Sequence, residues 1–151
     1  MKLVLYQPDI AQNLGAALRL CACFGVKLEI IEPCGFPLTA KAIRRVAMDY
    51  GVPEALTRHK SWPAFKNHES NHQRRIVLMT TKAAKPITEF AFEPTDILLF
   101  GRESAGVPQQ VHSDAQARVY IPITQNARSL NLVSSASITL FEALRQTGTC
   151  P

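Results

Sequence analysis

The chain has 151 residues, of which 46% are hydrophobic and 19% charged, with a formal net charge of +5. That length suits one domain burying roughly two thirds of its unfolded surface, and that composition excludes a disordered chain. No run approaches the ~18 apolar residues of a membrane span, and Leu3-Val4-Leu5-Tyr6 is too short for a secretory signal, so a cytoplasmic protein without a membrane partner is expected.

Lys2 to Tyr6 alternates and runs into Pro8, which predicts a strand. Asn13 is the expected N-cap of a helix that Gly25 stops. Lys27 to Ile31 is a second strand, closed by Glu32-Pro33. Thr39 to Tyr50 reads as a basic helix ended by Gly51, Ala55 to His59 as a short strand, and Trp62 to His68 as a short helix. Arg75 to Thr80 and Asp96 to Phe100 read as buried strands. Pro108 to Ala115 is a helix, Arg118 to Ile123 a strand, and Ser129 to Thr147 a long helix ending at Gly148. Strands alternating with helices imply an α/β fold with a mainly parallel sheet and helices on both faces. Ligands of such sheets bind at the carboxyl ends of the strands. The loops Thr80 to Lys82, Gly101 to Gly106 and Pro122 to Ser129 are therefore the places for a site.

The four cysteines, Cys21, Cys23, Cys34 and Cys150, form no C-x-x-C pair and read as buried free thiols. The four histidines have no metal-ligand spacing, so no metal is expected. Residues 41 to 75 hold eight Lys or Arg against three acids, while the rest of the chain is balanced. A segment of that kind attracts a polyanion, or else is a solvated helical face. Neither a G-x-G-x-x-G after the first strand nor a P-loop is present. In Gly101-Arg102-Glu103-Ser104-Ala105-Gly106 the serine stands one position late for a nucleophile elbow.

Three segments stand out together: Asn13-Leu14-Gly15-Ala16-Ala17-Leu18-Arg19, then Leu98 to Pro108 (L-L-F-G-R-E-S-A-G-V-P), then Ile121-Pro122-Ile123 with Ala127-Arg128-Ser129-Leu130-Asn131-Leu132 running on to Phe141-Glu142-Ala143-Leu144-Arg145. In this order and spacing the set resembles the SPOUT superfamily of RNA methyltransferases. Within it, the chain resembles the small single-domain YibK-like (TrmL) group, which methylates the ribose 2′-hydroxyl at the wobble position of tRNA. Ile31 to Phe36, Asp49-Tyr50 and Thr57-Arg58-His59 are similar to that group too, so the resemblance covers almost the whole chain and implies one domain over residues 1–151.

The resemblance implies an α/β sheet with a C-terminal trefoil knot, S-adenosylmethionine as cofactor, a homodimer, and the tRNA anticodon arm as partner. By the same resemblance Arg19 is the catalytic residue, acting across the dimer. A guanidinium stays protonated, so clamping the target phosphate and stabilising the developing alkoxide suit it better than general-base work. Met79, Gly101, Ile121, Ser129 and Leu130 match cofactor-contacting positions. Without the resemblance, Met79, Ile121 and Leu130 would read as core. Gly101 is expected where backbone approaches the ligand closely. Asn13, Glu103 and Asn131 are expected to shape the site, Glu103 by accepting backbone N–H groups and Asn131 by tying the knot loop to its neighbours. Ser129 is expected to cap the last helix. Lys41, Arg44, Arg45 and Arg128 are the candidate RNA contacts. The last helix is apolar on two sides, which predicts a dimer face.

Where the family often reads G-x-E-x-R-G-L-P, this chain has Ala105 and Val107, and Phe141 stands where relatives often carry Tyr. These departures leave the cofactor pocket and put the RNA target in question. The alternatives are a 2′-O-methyltransferase of ribosomal RNA or of another tRNA position, and a non-catalytic protein that binds RNA or cofactor.

Overall fold

A computed structural model describes residues 1–47 and 56–151. It holds seven parallel strands in one sheet: β1 (Lys2–Tyr6), β2 (Lys27–Ile31), β3 (Leu56–His59), β4 (Ile76–Met79), β5 (Lys85–Pro86), β6 (Ile97–Phe100) and β7 (Ala117–Tyr120). Their order across the sheet is β3-β2-β1-β6-β4-β7-β5. The helices are α1 (Ala11–Phe24), α2 (Ala40–Ala47), α3 (Trp62–Lys66), α4 (Gln109–Asp114) and α5 (Leu132–Thr147). The predicted α/β class and parallel sheet are therefore present. The predicted stretch of the basic helix to Tyr50, its stop at Gly51, the start of a strand at Ala55, and Asp49-Tyr50 lie outside the described residues.

The sheet is covered on both sides, and the strands show how. Successive side chains of a strand point to opposite faces. Leu3, Leu5, Val77, Met79, Leu98 and Phe100 face one side and pack with α1 and α5 residues such as Leu14, Leu18, Ala136 and Leu140. Val4, Tyr6, Ile76, Leu78, Ile97 and Leu99 face the other and pack with Trp62, Phe65 and Val111 of α3 and α4. A central parallel strand has no solvated face, so it reads as a continuous apolar run. That is why β4 and β6 were legible in the sequence.

Two predicted helix stops are in place. Gly25 (φ 63°) and Gly148 (φ 66°) close α1 and α5 in the left-handed conformation that favours glycine. The predicted starts are not. α1 begins at Ala11 after Ile10, with no side-chain cap. Asn13 is inside its first turn and buried, because its amide is engaged by partners distant in sequence. α5 begins after Asn131, whose Oδ1 accepts from the N–H groups of Val133 (2.8 Å) and Ser134 (3.2 Å). Asn131, not Ser129, is the cap. β7 ends at Tyr120, short of the predicted Ile123. β5 was not predicted at all: two residues joined to Val119 and Tyr120 have no periodicity to detect.

The cysteines also differ from expectation. Cys21 is buried and Cys34 half-buried, and burial pushes their thiols up to about 12 and about 11. Cys23 and Cys150 are exposed. Cys23 lies two residues past Cys21 and so faces away from the core.

Beneath α3 lies a buried charge cluster. Lys2 Nζ donates to Glu29 Oε1 at 2.7 Å and to Asn71 Oδ1 at 2.7 Å, while His59 Nε2 lies 2.7 Å from Glu29 Oε2. Burial alone would push the Glu29 carboxyl up; the bonds from Lys2, His59 and Asn71 outweigh it and hold it below its ordinary value. Such a pair survives burial only with its remaining hydrogen-bonding capacity used, as it is here.

Candidate active site

The carboxyl ends of β4, β6 and β7 carry three loops, residues 80–84, 101–108 and 121–131, which enclose a cleft of about 600 Å³. Met79, Ile121 and Leu130 give it apolar walls, while Asn13, Glu103 and Asn131 give it polar ones. Cofactor sites have this make-up: mostly apolar, with a few polar groups that orient the ligand.

The polar wall is one connected chain. Glu103 Oε2 accepts from the Asp9 N–H at 2.7 Å, and its Oε1 accepts from Asn13 Nδ2 at 2.7 Å. Asn131 Nδ2 then donates to Asn13 Oδ1 at 3.2 Å. Glu103 thus accepts one backbone N–H, as expected, and one side-chain amide besides. Asn131 both caps α5 and ties the loop before it to α1.

The 101–106 loop is a closed ring. Arg102 and Gly106 exchange two backbone hydrogen bonds of 2.9 Å. A Cβ on Gly101 would stand 2.6 Å from the Gly106 carbonyl carbon. A close approach that requires glycine at 101 is therefore that of Gly106's backbone. Asp9 fastens the ring from outside. Its carboxylate accepts from Ser104 Oγ (2.6 Å), the Ser104 N–H (3.0 Å) and Arg102 Nη2 (2.9 Å). The bonds from Ser104, then that from Arg102, pull the Asp9 carboxyl down to about 2. Asp9 was missed in the sequence, where Gln7-Pro8-Asp9 reads as an ordinary turn. Nothing local links it to a loop more than ninety residues away.

The family model of the SpoU rRNA methylase family matches residues 1–141. The chain belongs to this family. A tRNA (cytidine(34)-2′-O)-methyltransferase of Beijerinckia indica is 56% identical over 97% of this chain and 91% of its own length. A structure described as giving insights into the 2-OH methylation of C/U34 on tRNA is 36% identical, with a TM-score of 0.88 over 96% of this chain and 94% of that one. The SpoU methyltransferase AviRb of Streptomyces viridochromogenes, solved with AdoMet (S-adenosylmethionine), shares the fold at 21% identity. Its TM-score is 0.81 over 97% of this chain and 60% of its own.

In this SpoU-family chain, Met79, Gly101, Ile121, Ser129 and Leu130 all line the cleft, as do Asn13, Glu103 and Asn131. Residues from five parts of the sequence thus meet in one place. Arg19 does not line it. It sits on the exposed side of α1, in a row with Gln12, Ala16 and Cys23. Arg128 is exposed in the 121–131 loop and also lies outside the lining. Lys41, Arg44 and Arg45 are exposed on α2, which packs on α1 through the buried Ile43.

The basic excess of residues 41 to 75 is smaller in space than in sequence. Arg58, Lys66 and Arg75 pair with Glu32, Asp114, and Asp96 with Glu93, all from outside the segment. Sequence reasoning missed Lys82 and His112, which line the cleft. His112 sits below its ordinary value, through burial first and then the positive charges of Lys82 and Arg118.

Among the described residues no group of three or more His, Cys, Asp or Glu is placed to hold a metal ion, and no helix is long and apolar enough to cross a membrane.

Proposed function

We propose that this chain is a tRNA methyltransferase that moves a methyl group from S-adenosylmethionine to the ribose 2′-hydroxyl of the wobble nucleotide, cytidine or a modified uridine. The observation that carries this is near-full-length likeness to a tRNA (cytidine(34)-2′-O)-methyltransferase, with the cleft residues of the family motif assembled in one site. The description of the family as rRNA methylases favours ribosomal RNA as the second reading.

The cleft suits the cofactor on its own chemistry. Met79, Ile121 and Leu130 supply apolar surface for an adenine ring, and the loops that line the cleft carry backbone donors and acceptors. Met79, Gly101, Ile121, Ser129 and Leu130 are the residues that hold it. When bound, S-adenosylmethionine supplies an electrophilic methyl group on a sulfonium.

The protein's share is positioning. Holding the ribose hydroxyl in line with the methyl group it attacks can supply much of the acceleration. Glu103, Asn13 and Asn131 keep the loops in the shape the cofactor needs. Arg19 clamps the target phosphate and stabilises the alkoxide that develops as the hydroxyl proton passes to solvent water. Its place outside its own cleft fits action on the cleft of a second copy.

A homodimer fits the exposed side of α1 and α5. Ser134, Ile138, Phe141 and Arg145 recur there at helical spacing, and Ile138 and Phe141 are 44% and 51% exposed. Phe24 of α1 meets Phe141 edge-on, with ring centroids 6.4 Å apart. The opposite side of α5, with Ala136, Leu140, Ala143 and Leu144, is buried within the protomer.

A trefoil knot fits the strand order. Residues 80–84 lead from β4 to β5, on the two sides of β7, and the chain leaving β7 passes through 121–131 to reach α5. We take residues 1–151 as one such domain, working in the cytoplasm on the anticodon arm, with Lys41, Arg44, Arg45 and Arg128 as contacts to RNA phosphates.

The test is to incubate the protein with labelled S-adenosylmethionine and tRNA, then digest to nucleosides. Labelled 2′-O-methylcytidine or a 2′-O-methyluridine derivative from position 34 is expected. Transfer to ribosomal RNA alone moves the target to the second reading. Cofactor and RNA binding without transfer makes the protein a non-catalytic binder.

A further inference from the structure

We infer that Lys82, Arg118 and His112 form a phosphate subsite on the β4–β7 rim of the cleft, which takes a phosphodiester of the RNA next to the reacting ribose. This rests on the methyltransferase reading above.

Three separate elements bring these side chains together. Lys82 lies in the turn after β4, which closes by Lys82 N–H donating to Thr80 Oγ1 at 3.2 Å. His112 is on α4 and lines the cleft with Lys82. Arg118 is on β7, and its Nη1 donates to the His112 carbonyl at 3.0 Å, which fixes the guanidinium beside that residue.

Their charge is left over. On the opposite side of the cleft Arg102 is taken by Asp9, and Glu103 by Asn13 and the Asp9 N–H. Neither Lys82 nor Arg118 meets a carboxylate among the described residues, whereas Lys2, Arg58, Lys66, Arg75 and Arg145 each do. The depressed proton affinity of His112 reports the same field, since both cations act on it after burial. Cations held together without a counter-charge repel each other, and an anion placed among them relieves that repulsion.

The anion is a phosphodiester because of where the cluster stands. Lys82 lines the cleft and is exposed, and Arg118 is exposed beside His112, which lines the cleft as well. A ribose entering from outside brings a phosphate on either side of it. A guanidinium fork and an ammonium point charge together suit such a group. This contact would position the substrate without reading its sequence.

The test uses the double variant Lys82→Ala with Arg118→Ala, the charge-keeping variant Lys82→Arg with Arg118→Lys, and the parent protein. The probe is a fluorescein-labelled anticodon stem-loop RNA, followed by anisotropy without cofactor across roughly 50 to 200 mM salt. S-adenosylmethionine affinity is measured separately by calorimetry, and thermal melting checks that each variant folds.

The alanine variant is expected to bind the RNA at least tenfold more weakly at the lowest salt. Its log–log salt slope should be shallower by about one to two, as for one or two lost phosphate contacts. Cofactor affinity should stay within twofold, and the charge-keeping variant should stay near the parent. An alanine variant with the parent's RNA affinity and slope overturns the subsite, as does a loss confined to S-adenosylmethionine, which would assign the cluster to the cofactor's carboxylate. A parent that binds the stem-loop with no salt dependence removes the RNA reading itself, and the subsite with it.

Discussion

Asn13 Nδ2 donates to Glu103 Oε1 at 2.7 Å across ninety positions of sequence, joining the first turn of α1 to the loop after β6. The same Asn13 accepts from Asn131 at 3.2 Å. One side chain therefore holds two of the three loops that make the cleft. Glu103→Gln replaces an acceptor by a donor facing a donor. S-adenosylmethionine affinity should fall about tenfold, or ~1.4 kcal/mol. Asn13→Ala should cost a similar amount, and the double variant less than the sum, because both break one network. Calorimetric titration of the three variants checks this; additive losses would show the two residues to be independent.

Gly101→Ala places a methyl group against the backbone of Gly106, which cannot swing away as a side chain could. Overpacking of that kind costs about 1–3 kcal/mol. The ring from Arg102 to Gly106 should open and cofactor binding should be lost together with stability. Denaturant unfolding and calorimetry on one preparation should move in step.

Arg19→Ala should abolish methyl transfer while leaving S-adenosylmethionine affinity near normal, because Arg19 lies outside the cleft of its own chain. Arg19→Lys should recover little, since a planar fork is replaced by a point charge. Single-turnover assays beside calorimetry separate the two effects. A variant with parental turnover would remove Arg19 from the mechanism.

Asp9 carries a pH signature. Bonds from Ser104 and Arg102 hold its carboxyl at about 2, below the value of ~3.9 for an unfolded aspartate. A lowered folded value contributes stability that is complete above about pH 4 and fades as pH falls toward 2. Asp9→Asn removes that titration, so its stability should change less steeply with pH across that window than the parent's. Urea midpoints measured stepwise from pH 5 to about 2 give the comparison. Glu142, held at about 2 by Arg145 and Gln146, titrates in the same window and remains in both proteins.

Thr139 is fully buried on α5, and its hydroxyl has no hydrogen-bond partner among the described residues. A buried hydroxyl without a partner costs about 1–3 kcal/mol. Thr139→Val keeps the shape and removes that cost. The variant should be more stable by about 1 kcal/mol, or ~2–4 °C in Tm for a chain of this size. Calorimetric melting measures it; a lower Tm would mean that the hydroxyl is satisfied in solution.

The sequence alone was enough for every strand but β5, the stops of α1 and α5, the α/β class, and the motif residues that line the cleft. These rest on interactions within a few positions or on the unbroken apolar runs of a buried parallel sheet. Gly25 and Gly148 end helices by their own backbone freedom, and Leu98-Leu99-Phe100 is a central strand because both faces of it are covered. Only the tertiary structure decided what Asn13, Asp9, Lys2 and Glu29 do. A short window gives a helix-capping asparagine and a buried asparagine the same look, and Asn13 is the latter only because Glu103 and Asn131 meet it there. Lys2 and Glu29 are tolerated inside because strand pairing sets β1 beside β2 and the segment after α3 closes over both. The strand order also separates neighbours in sequence and joins distant residues at one end of the sheet. Long-range pairings of that kind are set by how all the faces are buried at once, which no local pattern encodes.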